Sequence, residues 1–313
     1  NGRLLPRLMD LNQFYCKTRL VVNDDFMGFS ESPWSMYGMV VEEYCNRNLT
    51  NSSDSLRACS AILESLSQNL DKGLLFGLPV QYLQVALRWR HAGQFERRKE
   101  FPSWSWVGWK GSLLRSTAEH QGSGAQNASL SIHKAQNGEM TQIHCFELNH
   151  TGRGFSPLAY INKHMSHASI LSNQLYQDFK SMGNGCQSPI PLDQILFIRG
   201  HIIRPSLYDA PLDTMLGDYV YSIKLGVKEC RIHCFNEATA EFVRAHDWSM
   251  LYILLLSSTS IAATDERLEG ILLEWNQDIA YRVGLVGFEV NYGPYGQKFI
   301  HDFQPAIGEF ALG

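Results

Sequence analysis

The stretch Phe101-Pro102-Ser103-Trp104-Ser105-Trp106-Val107-Gly108-Trp109 constrains this chain more than any other. Three of the seven tryptophans of the sequence fall within it. Each indole removes a large apolar area from water and brings an N–H that needs an acceptor, so indoles this dense specify a junction between packed elements. Arg97, Arg98 and Lys99 lead in, and Gly108 and Gly111 lead out. The residue pattern predicts a short strand entered through Pro102. Alternation then puts Ser103, Ser105 and Val107 on one face and Trp104, Trp106 and Gly108 on the other. No standard catalytic motif runs through the stretch. Its local chemistry is that of a packing anchor, with a ligand platform as the other use.

A chain of 313 residues that is 44% hydrophobic and 19% charged is rich enough to bury a sizeable core, and its length fits about two domains. With 27 basic and 31 acidic residues the net charge is −4. That balance lacks the basic excess of a nucleic-acid-binding surface and the polybasic signal of a membrane-surface protein. The cysteines are Cys16, Cys45, Cys59, Cys145, Cys186, Cys230 and Cys234. Their odd number and irregular spacing argue against a disulfide framework and for reduced thiols in the cytoplasm. Glycosylation sequons at Asn48, Asn51, Asn127 and Asn149 matter only in a secreted chain, and nothing directs secretion. The start at Asn1-Gly2-Arg3 reads as internal to a longer product. The most apolar run, Met250 to Leu256, is too short to span a bilayer and reads as a buried strand.

Taken in order, Leu4, Leu5, Leu8 and Leu11 have helical spacing, and Arg19 to Val22 reads as a strand. Pro33, after a serine, starts a helix whose stripe is Trp34, Tyr37, Val41 and Tyr44. Ser53 or Asp54 caps a second helix with the stripe Leu56, Cys59, Leu63, Leu66 and Leu70. After Leu74 to Pro79, a third helix turns Val80, Leu83, Leu87 and Trp89 inward. Residues 117–128 are polar and small, which suits an exposed loop. Leu130 to His133 and Gln142 to Phe146 read as strands around an Asn137-Gly138 turn. A short helix is expected between His167 and Lys180. Further strands are expected at Ile195–Ile198, His201–Ile203, Tyr219–Ile223, Arg231–Phe235, Tyr252–Leu256, Gly270–Trp275, Ala280–Phe288 and Glu309–Leu312. A helix is expected over Asn236 to His246, and Ile271–Trp275 and Ala280–Leu285 should pair as a hairpin. The expected fold is α+β: a three-helix segment ending in a Trp-rich strand, followed by a β-rich antiparallel domain. Its units are 1–116, mainly helical; 117–192, a linker and irregular region with a hairpin; and 193–313, β-rich.

Tests for chemistry return little. Cys230, His233 and Cys234 cluster, but a structural zinc site needs four ligands and no second pair stands out. On a strand, His233 points away from the two thiols. Neither a metal nor a cofactor is therefore expected. Glu42 and Glu43 diverge by about 100° on a helix and, like Glu96, read as solvated surface. His91 reads as a cap on the third helix. Asp54 reads as an N-cap, and Arg47 as its ion-pair partner or a contact to carbonyls ending the first helix. A nucleophile elbow, a phosphate loop and a dinucleotide fingerprint are all missing, and the catalytic residues stay unknown.

An ordered series of motifs does carry information. It comprises Trp34-x2-Tyr37, then Val41-x2-Tyr44-x2-Arg47-x-Leu49-Thr50, then Ser53-Asp54-x-Leu56-x-Ala58. It continues through Leu75-Phe76-Gly77-Leu78-Pro79, Ala86-Leu87-x-Trp89, Arg97-Arg98 and Phe101-Pro102-Ser103-Trp104-Ser105-Trp106-x-Gly108-Trp109. This series resembles the C-terminal part of the fungal heterokaryon incompatibility domain. The tail, Leu272-Leu273-Glu274-Trp275, Ala280-Tyr281-Arg282-Val283-Gly284 and Leu312-Gly313, is similar to the C-terminal region of such proteins. Cys45 stands where that family often has a serine. Two N-terminal blocks of the family, one like Asp-Ala-x-Cys-Ile-Asn-Gln and one like Arg-x-Trp-Thr-x-Gln-Glu, do not occur here.

The resemblance implies a cytoplasmic role in fungal nonself recognition and programmed cell death, with a protein partner. The family's N-terminal portion is thought to resemble TIR domains, and an NAD-cleaving glutamate would lie in that portion. The chain is therefore expected to be a fragment acting as a non-enzymatic regulatory or interaction module. The alternatives are a TIR-like nucleotide hydrolase complete only with the missing half, and an inactive truncated product.

Overall fold

Pro33 opens helix α1 (Pro33–Cys45) at the position where its fixed φ suits a first turn. The expected stripe faces inward: Tyr37, Val41 and Tyr44 are buried, and Trp34 packs against them. The computed structural model describes residues 33–47, 51–68, 70, 72–114, 126–146, 175–178, 181, 190–207, 213–215, 218–225, 228–246, 251–262, 265–291 and 306–313. The elements expected before Pro33, Leu49 and Thr50, and most of the 117–128 loop lie outside these residues. Of the helix expected between His167 and Lys180, residues 175–178 are described and helical.

Helix α2 (Ser55–Ser67) buries Cys59, Leu63 and Leu66 as its spacing predicts. Its start differs from expectation. Asp54 stands immediately before the helix but makes no capping hydrogen bond. The cap lies one turn earlier, where the Asn51 side chain accepts from Ser53 N at 3.3 Å and caps a 3₁₀ turn, Ser52–Asp54, that runs into α2. The Tyr44 hydroxyl donates to Ser55 O at 2.5 Å and ties α1 to α2.

Strands β1 (Leu74–Leu75) and β2 (Leu78–Pro79) form a minimal hairpin around Phe76 and Gly77, both at positive φ. Gly77 is required twice, since a Cβ there would also lie 2.8 Å from the Trp106 ring. The third helix is shorter than its pattern: a 3₁₀ turn, Val80–Tyr82, then α3 (Leu83–Ala86). His91 does not cap it. It pairs with Leu113 where β3 (Arg90–His91) meets β6 (Leu113–Leu114).

The tryptophan stretch is not a strand. Pro102 to Ser105 turn, with Ser105 N bonded to Pro102 O at 3.3 Å. Trp106–Gly108 is a 3₁₀ turn capped by the Ser105 side chain, which accepts from Val107 N at 3.2 Å. Extended structure resumes only at β5 (Trp109–Lys110), paired with β4 (Glu96–Arg97). Two physical reasons override the alternation. Residues 102–108 are buried on every side, so no solvent face exists to alternate with. The serine hydroxyls also bond backbone groups in competition with a ladder.

The rest of the described chain is a twelve-stranded sheet. Strands β7 (Gln126–Asn127), β8 (Leu130–Gln136) and β9 (Glu139–Phe146) open it, and the β8–β9 turn has Asn137 and Gly138 at positive φ as their sequence demands. Strand β10 (Leu196–Ile203) joins the two strands expected there. Strands β11 (Ser206–Leu207), β12 (Asp213–Met215), β13 (Asp218–Leu225) and β14 (Lys228–Cys234) follow, then helix α4 (Glu237–Ala245) capped by Asn236. The long strands β15 (Leu251–Ala262), β16 (Asp265–Asn276) and β17 (Ile279–Asn291) form an antiparallel meander, and β18 (Ala306–Leu312) ends the sheet. The expected hairpin is present, turning at Gln277–Asp278. Strand β18 pairs antiparallel with β10 and parallel with β17, and β10 also touches β15, so the path β10–β18–β17–β16–β15 closes on itself.

The architecture is α+β with the pairings antiparallel apart from β17–β18. The largest core cluster combines Tyr37, Leu63, Leu87, Trp104 and Trp106 with Leu130, Ile198, Leu254, Ile271, Phe310 and Leu312. Residues on both sides of the boundaries drawn at 116 and 192 thus contribute to one core, and Pro33–Gly313 form one compact unit. Among the described residues no helix is long and apolar enough to cross a membrane.

Candidate functional site

The motif residues converge on a knot of indoles in which every ring N–H is satisfied. Trp89 Nε1 donates to Trp104 O at 3.0 Å, and Trp104 Nε1 to Gln194 O at 2.9 Å. Trp106 Nε1 donates to the Tyr37 hydroxyl at 3.0 Å, and Trp109 Nε1 to Ser103 O at 2.7 Å. The rings pack edge-on: Trp104 against Phe76 at 5.6 Å, and Trp106 against Tyr44 at 5.9 Å.

The two serines act on backbone. Ser105 Oγ donates to Phe76 O at 2.6 Å and so holds the β1–β2 turn. Ser103 reaches across the fold. Its hydroxyl donates to Gly313 O and accepts from Arg282 N at 2.9 Å, while its own N–H also bonds Gly313 O at 3.1 Å. Gly313 N in turn bonds Ala280 O at 2.9 Å. The tryptophan stretch and the C-terminal tail therefore meet at Ser103.

Arg282 completes this joint. It is fully buried, and its guanidinium lies 3.6 Å from the centre of the Trp89 ring. It donates to Leu87 O at 2.5 Å and to Trp89 O, the carbonyls just past α3. That is favourable placement for a cation at a helix C-terminus. Burial without a carboxylate holds its pKa down at about 9. Its sequence signal is a lone arginine in an apolar strand, but nothing local identifies its partners. Gln84, also missed from sequence, donates from Nε2 to Ala128 O and Leu256 O, each at 2.7 Å. Arg88 forms a largely buried ion pair with Glu269.

Arg97 and Arg98 serve the same stretch. Arg97 donates to Gly108 O at 2.7 Å and Phe101 O at 2.5 Å, and Arg98 to Val107 O at 3.3 Å and to Trp109 O. Leu78 and Pro79 are buried in β2. Arg47 and Asp54 do not join the knot. Arg47 reaches Glu43 at 4.0 Å, with both side chains 54% exposed, and does not pair with Asp54.

Beside the knot lies a small pocket of about 40 Å³ between α1, α3 and β6. Trp34, Tyr37, Trp89 and Trp106 line it together with apolar residues, and Glu42 is the one charged residue of the lining. Leu114, 38% exposed, stands at its wall. Three motif positions far apart in sequence, Trp34, Trp89 and Trp106, are thus brought to one cavity.

The reactive groups nearby are set for packing. Burial pushes the thiols of Cys45 and Cys59 up to about 12, so neither is an activated nucleophile. Desolvation pushes His91 down to about 3, against a single long contact to Ser112 O at 3.3 Å. Burial also raises the Tyr37 phenol, which stays neutral. Elsewhere, Ser131 Oγ lies 2.7 Å from His133 Nε2 and accepts from Gln142 at 3.0 Å. Strand β8 is paired on both sides there, so its backbone N–H groups are committed to ladders and none converges as an oxyanion site. Cys234 is buried on β14 with Ile232, and among the described residues no group of three His, Cys, Asp or Glu could hold a metal ion.

Comparison of the chain with models of known families, with curated proteins and with solved structures found no match.

Proposed function

We propose that this chain is a non-enzymatic regulatory or interaction module of a heterokaryon-incompatibility-type protein. It acts in the fungal cytoplasm in nonself recognition coupled to programmed cell death, through a protein partner. One observation carries the reading. The motif residues spend their polar groups on joining the helical segment to the sheet, and what they leave open is a small aromatic pocket. Apolar pockets with few polar groups are where binding is expected.

Val85 lines the pocket and is partly exposed, so Val85→Trp fills it from the surface. Partner recovery from fungal extracts should be lost in that variant, and the wild-type chain should consume no NAD above a blank. Equal recovery by wild type and variant, or measurable NAD turnover, contradicts the proposal.

A further inference from the structure

Strand β10 changes neighbour at His201. Before it, residues 197–200 pair with residues 130–133 of β8. After it, Ile202 and Ile203 pair with Leu254 and Ile253 of β15. Among the described residues His201 itself has one cross-strand partner, Ile307 of β18. The imidazole is nonetheless 2% exposed, and neither ring nitrogen makes a hydrogen bond. A polar group buried without partners is destabilising, and a charge buried without partners far more so.

The groups around His201 do not relieve a charge there. Arg199 lies two residues away on the same face, and its guanidinium repels a second cation. Arg199 is ion-paired with Glu309 across the β10–β18 ladder, so the carboxylate of this set is already engaged. From β8, His133 lies near that carboxylate, with Nε2 against the Ser131 hydroxyl. On the other side Ile203 leads into an apolar cluster with Ile253 of β15 and Ala240 and Val243 of α4. Strand β18 itself is divided. Ala306 and Ile307 are exposed and Gly308 and Glu309 half-buried, whereas Phe310, Ala311 and Leu312 are buried. The buried half also pairs with β17 and enters the main core. The first half buries little and so opens at lower cost.

We propose that residues 306–309 are an acid-released strap: proton uptake by His201 detaches this half of β18 from β10, while Phe310, Ala311 and Leu312 stay docked. Burial alone holds the closed ring down at about 4, against about 6.5 for a solvated imidazole. Opening therefore takes up a proton. It is indifferent to pH above about 6.5 and becomes easier below, by about 20-fold between pH 7 and pH 5. The device does not depend on the partner-binding reading and stands if that reading fails.

Amide hydrogen exchange of the full chain tests it, read by mass on peptides covering residues 306–309 and, in β16, residues 269–274. Rates are corrected for the intrinsic pH dependence of exchange. At pH 7 the strap should be about tenfold less protected than β16, and its protection should fall about 20-fold by pH 5. His201→Leu should abolish that fall, and His133→Gln should leave it in place. Protection equal to that of β16 at pH 7 overturns the proposal, since the strap would then open only with the whole fold. Unchanged protection at pH 5, an equal fall in His201→Leu, or loss of the fall in His133→Gln also overturns it. Should His201→Leu fail to fold, the wild-type His201 ring resonances decide. They should stay at their neutral positions down to pH 5, and a titration midpoint near 6.5 would refute the strap.

Discussion

Replacing Ser103 by alanine tests the joint at its narrowest point. The side chain is buried, and its oxygen serves two groups remote in sequence, Arg282 N at 2.9 Å and Gly313 O. In Ser103→Ala the Gly313 carbonyl keeps the Ser103 N–H at 3.1 Å, so it is not orphaned. The Arg282 N–H loses its acceptor in a site with no access to water. An orphaned buried donor costs about 1–3 kcal/mol, and the lost hydroxyl leaves only a small void. The expected destabilisation is about 2 kcal/mol. Urea denaturation would show it as a lower midpoint with an unchanged slope. Ser60→Ala serves as a surface control, since Ser60 makes one exposed bond to Arg57 O at 2.9 Å and should lie within about 0.5 kcal/mol of wild type. A Ser103→Ala effect no larger than the Ser60 control would refute the reasoning that Ser103 joins the two parts of the fold.

Other substitutions probe neighbouring parts of the account. Gly108→Ala places a Cβ 2.3 Å from Pro102 O and 2.9 Å from the Arg97 guanidinium, and should cost about 3 kcal/mol or prevent folding. Gly73→Ala meets open space and should cost only about 1 kcal/mol for its positive φ, so similar soluble yields and midpoints for the two would contradict the packing argument. His201 is 2% exposed, neither ring nitrogen has a partner, and burial pushes it down to about 4. The unfolded imidazole takes its proton near pH 6.5 and the folded one only near 4, so stability is level above about 6.5 and falls with pH below it. The loss between pH 7 and 5 should be smaller in His201→Leu by something on the order of 2 kcal/mol, and an identical pH profile would count against the assignment. Cys45 and Cys59, held up at about 12, should alkylate at pH 8 far more slowly than the exposed Cys145, as read by peptide mass.

Much of the fold follows from local pattern. The Asn137-Gly138 turn, the Leu251–Leu256 run, the α1 stripe and helix α4 are each set by residues close in sequence. What escapes is decided at a distance. The tryptophan stretch alternates small and large residues like a strand, yet Ser103 and Ser105 bond backbone from other elements and the surroundings bury both faces. Gly200 looks like a break between two strands, but its missing side chain is filled by Leu130 and Leu254 and the strand runs through. In the candidate site, the motif positions are legible but their roles are not. Trp34, Trp89 and Trp106 line a pocket only because α1, α3 and the knot pack together, while Arg47 and Asp54 stay outside. Arg282 is visible as an oddity, but its stacking on Trp89 belongs to the tertiary structure.

The claim underlying all of this is that the indole knot makes the helical segment and the sheet one cooperative body. Trp34, Trp89, Trp104, Trp106 and Trp109, five of the seven tryptophans, lie in the helical segment and the knot, so indole fluorescence reports on that part of the chain. Far-UV circular dichroism reports on the backbone of the helices and the large sheet together. Urea unfolding followed by both signals on one sample should give coincident transitions with a single midpoint. A fluorescence transition completed at lower urea, with part of the dichroism signal lost only in a second transition, would contradict the claim.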